Sequence, residues 1–251
     1  MALSKWWKTG GGQDATPGRA VPEGRRVYAI GDVHGRADLL DAMARLVERD
    51  LADRPGPDAT TIFLGDYVDR GPDSAGVVDR LVRRDWPTPL VALRGNHEDL
   101  FVGFLTGQID PGYHTQLGGD ATLRSYGIDP GELAALPPEG RAALLQRVPD
   151  RHCSFLDMLQ LSETVGDYFF VHAGVRPGVP LDRQSPDDML WIRDDFLRSK
   201  ADFGKTVVHG HTPVREPQVR VNGINIDTQA YASGVLTALV LEGREIRFLR
   251  T

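Results

Sequence analysis

From Arg25 onwards, apolar and polar positions alternate between two textures. Short β-branched and aromatic runs at 27–30, 60–64, 90–93, 168–171, 205–208, 224–226, 236–241 and 246–249 predict eight strands. Between the first three, apolar residues recur at helical spacing. Leu39, Leu40, Met43, Leu46 and Val47 mark one helix within 37–50, and Val77, Val78, Leu81 and Val82 mark another that Ser74 is placed to cap. Strand, helix, strand, helix, strand is the signature of an α/β sheet. From about 99 to 160 the texture changes. Leu100, Phe101, Phe104 and Leu105 predict one helix and 141–148 another, with Gly and Pro breaking the stretch between. This block reads as a largely helical cap inserted over the sheet. Residues 1–24 carry Trp6 and Trp7 between two lysines and a Gly10-Gly11-Gly12 run, but no apolar signal-peptide core. They read as a flexible tail, leaving 25–251 as the folded domain.

Composition narrows the class without naming a function. Hydrophobic residues make up 41% of the 251 and charged residues 25%, as in ordinary globular proteins. The net charge of −6 argues against a nucleic-acid coat or a basic membrane binder. No apolar run approaches the roughly 18 residues a membrane span needs. A single cysteine, Cys153, excludes an internal disulfide and points to a reducing, cytoplasmic setting. Glycine (28) and proline (17) are abundant while the apolar fraction stays high, which predicts many well-formed turns.

The chemistry sits immediately after the strands. Gly31-Asp32-Val33-His34-Gly35 follows the first, and Gly65-Asp66-Tyr67-Val68-Asp69-Arg70-Gly71 follows the second. Gly95-Asn96-His97-Glu98, His172-Ala173-Gly174 and Gly210-His211-Thr212 follow three more. Carboxyl ends of neighbouring strands in an α/β sheet converge on one crevice, so Asp, His and Asn side chains are delivered together. Mixed carboxylate, imidazole and amide-oxygen sets suit manganese, iron or zinc better than calcium. Two carboxylates with several imidazoles suffice for two ions sharing one carboxylate, an arrangement suited to phosphoester hydrolysis. Arg70 lies within the cluster and can fork onto phosphate oxygens.

These five motifs, in this order, resemble the phosphoprotein phosphatases, a family of binuclear metallophosphoesterases, and most nearly their bacterial and bacteriophage Ser/Thr phosphatase branch. The resemblance implies a calcineurin-like sandwich of β-sheets flanked by helices. It implies that Asp32 and His34 hold the first metal, Asp66 bridges both, and Asn96, His172 and His211 complete the second site. His97 would be the general acid, oriented by Asp69, with a metal-bridging hydroxide as nucleophile. Arg70, Asn96 and Arg193 would contact the phosphate, Arg193 because Leu190-Trp191-Ile192-Arg193 matches the branch's Leu-Trp-x-Arg segment. Two divalent ions are implied, manganese first and iron or zinc as alternatives.

The implied function is a phosphoserine/phosphothreonine protein phosphatase, with a phosphoprotein or small phosphoester as partner. A symmetrical dinucleoside tetraphosphate hydrolase is the alternative, and a non-catalytic phosphate-binding module a third reading. Asp69, Glu98 and Thr212 favour the phosphatase over the dinucleotide hydrolase. Among the remaining candidates, His209 reads as a residue behind the metal ligands, and His114 and His152 as surface or packing residues of the cap. Glu98 is expected to support the site by hydrogen bonds, Arg94 to contact substrate or brace its neighbours, and Trp191 to lie in the core. Where the branch usually has glycine after Ile226-Asp227-Thr228, this chain has Gln229.

Overall fold

A computed structural model describes residues 18–251. Its core is a pair of stacked five-stranded sheets. The first contains β1 (Arg25–Ile30), β2 (Asp58–Phe63), β3 (Leu90–Ala92), β9 (Thr237–Glu242) and β10 (Glu245–Arg250), in the order β10-β9-β1-β2-β3. The second contains β4 (Ser162–Val165), β5 (Tyr168–Val171), β6 (Thr206–His209), β7 (Gln218–Val219) and β8 (Gly223–Asn225), in the order β4-β5-β6-β8-β7. Within each sheet the three strands that lead into site loops, β1-β2-β3 and β5-β6-β8, run parallel, and the rest pair antiparallel: β9 with β1 and β10, β4 with β5, and β7 with β8.

The two-residue period of each strand sorts its side chains between two cores. Val27, Ala29, Ile62, Leu64 and Leu239 face Tyr168, Phe170, Val208 and Ile224 between the sheets. Tyr28, Ile30, Phe63 and Val240 face outward onto α1 (Ala37–Asp53) and α2 (Ser74–Val82). On the far side, Phe169, Val171 and Val207 pack against Met189, Ile192 and Phe196. The result is helices, sheet, sheet and helices, the flanked sandwich implied by the resemblance.

The inserted block is helical: α3 (Asn96–Leu105), α4 (Pro111–Gln116), α5 (Gly119–Ser125), α6 (Pro130–Ala135), α7 (Pro138–Leu145) and α8 (Asp150–Asp157). Phe101, Phe104, Leu123, Ile128 and Leu156 join the same core as α1 and α2, so the block extends the outer helical layer of the first sheet. Beyond it come α9 (Pro186–Trp191), α10 (Asp194–Leu197) and α11 (Ala230–Ser233). Of the expected tail, 1–17 lies outside the described residues. The remainder, up to residue 24, is anchored. Val21 is 2% exposed and its N–H donates to Gly243 O at 3.0 Å, while the Ala20 N–H donates to Asp167. Among the described residues, no helix is long and apolar enough to cross a membrane.

Candidate functional site

The loops after β1 and β2 clasp each other through backbone hydrogen bonds. The Val33 and His34 N–H groups donate to Asp66 O at 3.0 and 2.8 Å, and the Gly35 N–H donates to Tyr67 O at 2.8 Å. His34, Asp66, Asp69, Arg70 and His211 all have positive φ, from 43° to 71°. Non-glycine residues hold this conformation only where surrounding contacts over-determine it, and such strain clusters at functional sites. Glu98 supplies much of that restraint. Its carboxylate accepts from the N–H groups of Asp66 (2.8 Å), Tyr67 (2.7 Å), Val68 (3.2 Å) and Gly95 (2.9 Å). It therefore supports the site by hydrogen bonds, as expected. Gly95 is forced by proximity, because a Cβ there would collide with the Asp66 carboxylate.

Six strand ends meet at one crest of the sandwich. Asp66 lies at its centre, with His34 Nε2 3.3 Å from Oδ2 and His172 Nε2 3.4 Å from Oδ1. Two three-residue groups converge tightly enough for metal ligation, His34–Asp66–His97 and Asp66–His172–His211, and Asp66 belongs to both. Asn96 joins the second group, its Oδ1 2.9 Å from both His172 Nε2 and His211 Nδ1. Asp32, expected in the first group, stands slightly apart: Oδ2 accepts the His211 N–H at 3.0 Å while buried Oδ1 has no partner.

The donor set fits divalent cations. His172 Nδ1 is 3.1 Å from Leu64 O and His34 Nδ1 is 2.8 Å from Val68 O. These carbonyls can only accept, so each ring carries its proton on Nδ1 and presents a lone pair at Nε2. His172 Nε2 therefore faces Asn96 Oδ1 at hydrogen-bond distance, acceptor against acceptor, with a carboxylate oxygen beside them. A shared cation resolves that juxtaposition. Burial keeps His172 neutral and depresses His211 to about 2, so neither ring needs to shed a proton to ligate. Burial, and then the charges of Asp227 and Asp66, push Asp32 well above the usual carboxylate range. Such a group is stabilised by positive charge placed against it.

The remaining machinery surrounds this core. His97 Nδ1 lies 2.7 Å from Asp69 Oδ2. Despite burial, the neighbouring His114 and His97 rings hold the Asp69 carboxyl at about 2. The Arg70 guanidinium donates to His34 Nε2 and His97 Nε2, both at 2.9 Å, and rests over the Tyr231 ring at 4.9 Å. Arg193 stands at an exposed rim with Nη1 3.5 Å from Thr212 Oγ1. It lines an open groove of about 390 Å³ with Arg176, Trp191 and the acidic residues of α9 and α10.

One reading changes, and three further residues gain a defined place. Trp191 is 38% exposed, its ring edge-on to His211 at 6.2 Å, because it ends α9 where the chain turns toward the rim. Of the two readings of His114, packing holds: it is fully buried, and its Nε2 reaches to 3.4 Å from Asp69 Oδ1. Asp227, 3% exposed, joins the carboxylate cluster. It follows a strand as Asp32 and Asp66 do, and that signal could have found it. Gln229 keeps a glycine-like conformation (φ 54°, ψ 49°), its N–H donating to Asp227 Oδ1 at 2.9 Å. Of the open alternatives, Arg94 braces its neighbours, reaching Asp99 Oδ1 (3.3 Å) and Leu156 O (3.2 Å). His209 is buried behind the ligands, within 3.2 Å of Arg220 Nη2.

A sandwich whose strand ends gather carboxylates, imidazoles, an amide oxygen and an arginine around one shared aspartate defines a phosphoesterase suited to divalent metals. The chain belongs to the calcineurin-like phosphoesterases: residues 25–237 match that family. It is 29% identical to Serine/threonine-protein phosphatase 1 of Salmonella typhimurium over 218 residues, covering 85% of this chain and 90% of that one. It is also 28% identical over 231 residues to the asymmetrical bis(5'-nucleosyl)-tetraphosphatase PrpE of Halalkalibacterium halodurans, covering 84% and 87% of the two chains. A solved cold-active protein tyrosine phosphatase shares the fold, with a TM-score of 0.58 at 17% identity over 92% of this chain and 81% of that one.

Proposed function

We propose that the protein hydrolyses alkyl phosphomonoesters, and phosphoserine or phosphothreonine in proteins in particular, with two divalent metal ions. Asp32, His34 and Asp66 would hold one ion, and Asp66, Asn96, His172 and His211 the other. Bound there, the ions supply Lewis-acid charge that polarises the phosphate and makes hydroxide available near neutral pH. Arg70 and Arg193 bind and orient the phosphate by charge-assisted hydrogen bonds. His97 donates a proton from Nε2 to the departing oxygen, and Asp69 stabilises the imidazolium and fixes the ring.

The observation that carries this reading is the 2.7 Å His97–Asp69 pair. A serine or threonine alkoxide is a poor leaving group and needs a proton as the bond breaks. A nucleotide phosphate leaves as a stable anion and gains little from one. Similarity to PrpE favours a second reading, asymmetrical cleavage of dinucleoside tetraphosphates. Manganese-loaded protein offered a phosphoserine peptide and diadenosine tetraphosphate under identical conditions separates the two. The expected result is a higher kcat/KM on the phosphopeptide; preference for the dinucleotide by tenfold or more overturns the proposal.

A further inference from the structure

His114 is an odd residue for its place. Its ring is stacked nearly parallel on Phe104 (centroids 4.7 Å, 17°) and on Phe101 (5.5 Å, 17°), inside the core shared by α3, α5 and the first sheet. An aromatic hydrocarbon would fill that stack without the cost of burying two ring nitrogens. Neither nitrogen has a hydrogen-bond partner, and Nε2 faces Asp69 Oδ1 at 3.4 Å. The same oxygen accepts from Thr122 Oγ1 at 2.7 Å, and the Asp69 N–H donates to that hydroxyl at 2.8 Å. One residue on, the Arg70 N–H donates to Gly118 O at 3.1 Å. Residues 114–122 of the insertion thus grip Asp69 from behind, through the oxygen that His97 does not use. Gly119 is required by this packing, because a Cβ there would collide with the His114 ring.

We propose that His114 is a positioning residue for the His97–Asp69 pair. It engages Asp69 Oδ1, with Thr122, so that Oδ2 is held toward His97 Nδ1. The inserted helices thereby set the geometry of the proton donor as well as extending the core. This extends the alkyl-phosphatase reading to a residue outside all five motifs.

Two variants test it: His114→Leu, which removes the ring nitrogens, and His114→Gln, whose amide can still donate to Asp69. Kinetics are read on phosphoserine peptide and on p-nitrophenyl phosphate, whose leaving group needs no proton. His114→Leu is expected to lose roughly 10–100-fold in kcat on the phosphopeptide, the usual effect of losing a supporting partner. Loss on p-nitrophenyl phosphate should stay within about threefold, and His114→Gln should recover much of the peptide activity. Equal losses on both substrates, or no loss on either, overturn the proposal.

The His97 Nδ1–H proton resonance, assigned by its disappearance in His97→Asn, gives a readout independent of substrate. It should shift in His114→Leu and return toward its native position in His114→Gln. An unmoved resonance overturns the proposal even if the phosphatase reading stands. A shifted and rescued resonance sustains it even if the preferred substrate is a dinucleotide. Thr122→Val removes the companion donor without touching the aromatic stack. It should shift the same resonance should His114→Leu fail to fold, and an unmoved resonance there counts against the shared grip on Asp69.

Discussion

His97 is the residue on which the choice of substrate turns. Asn at position 97 keeps a polar group of similar reach but cannot shuttle a proton. His97→Asn should therefore retain its metals and lose roughly 10²–10⁴ in kcat on the phosphopeptide, the ordinary contribution of general acid catalysis. Steady-state kinetics with elemental analysis on one preparation checks both halves. His209 offers a pH-dependent test. Burial, helped by the Arg220 charge, depresses it to about 3, against 6.5 for an ordinary histidine. The unfolded chain therefore takes up a proton below pH 6.5 that the folded chain refuses, and stability contributed at this position falls with pH. Between pH 7.5 and 5.5, urea unfolding of metal-free wild type and His209→Asn should show the wild-type advantage shrinking by about 1.4 kcal/mol. A constant difference would place the His209 titration elsewhere. Most residues of the site were legible in the sequence because each stands directly after a strand. His114 was not: it sits in the inserted helices, 45 residues from its partner in sequence, and only tertiary packing brings it to Asp69.

At the scale of elements, the N-terminal turn of α3 locks the loop after β2. Glu98 gathers four N–H groups, three of them from Asp66, Tyr67 and Val68. Glu98→Ala leaves those buried donors without an acceptor, at a cost of about 3–5 kcal/mol in unfolding free energy. It should also weaken metal binding by roughly 10–100-fold. Denaturation and manganese titration measure the two effects separately. The eight strands anticipated from apolar runs all form; β1, β5, β6 and β9 are buried along most of their length on both faces and read as largely apolar text. The two further strands, β4 and β7, lie at the margins of the second sheet. Ser162–Val165 is polar at three of its four positions and Gln218–Val219 is two residues long, so neither carries a period that marks a strand. The anchoring of Val21 carries no sequence signal for a similar reason: it stands next to proline in a glycine- and proline-rich stretch, and only its contacts reveal it.

For the molecule as a whole, the site is a seam between the two sheets. The first sheet contributes Asp32, His34, Asp66, Asn96 and His97, and the second His172, His211 and Asp227. Ions bound across that seam stabilise the folded chain by mass action, so manganese should raise the melting temperature in a concentration-dependent way. The net charge of −6 counts the carboxylates proposed as ligands, so the chain with metals bound would present a far less negative face to phosphate than its composition implies. The proposed metal centre turns above all on Asp66, the residue both ions would share. The most direct measurement is metal stoichiometry, by elemental analysis, of wild type and Asp66→Asn equilibrated with manganese. The expected result is two ions per wild-type chain and loss of tight binding at both positions in the variant. Two tightly held ions in Asp66→Asn, or a single ion in wild type, would contradict it.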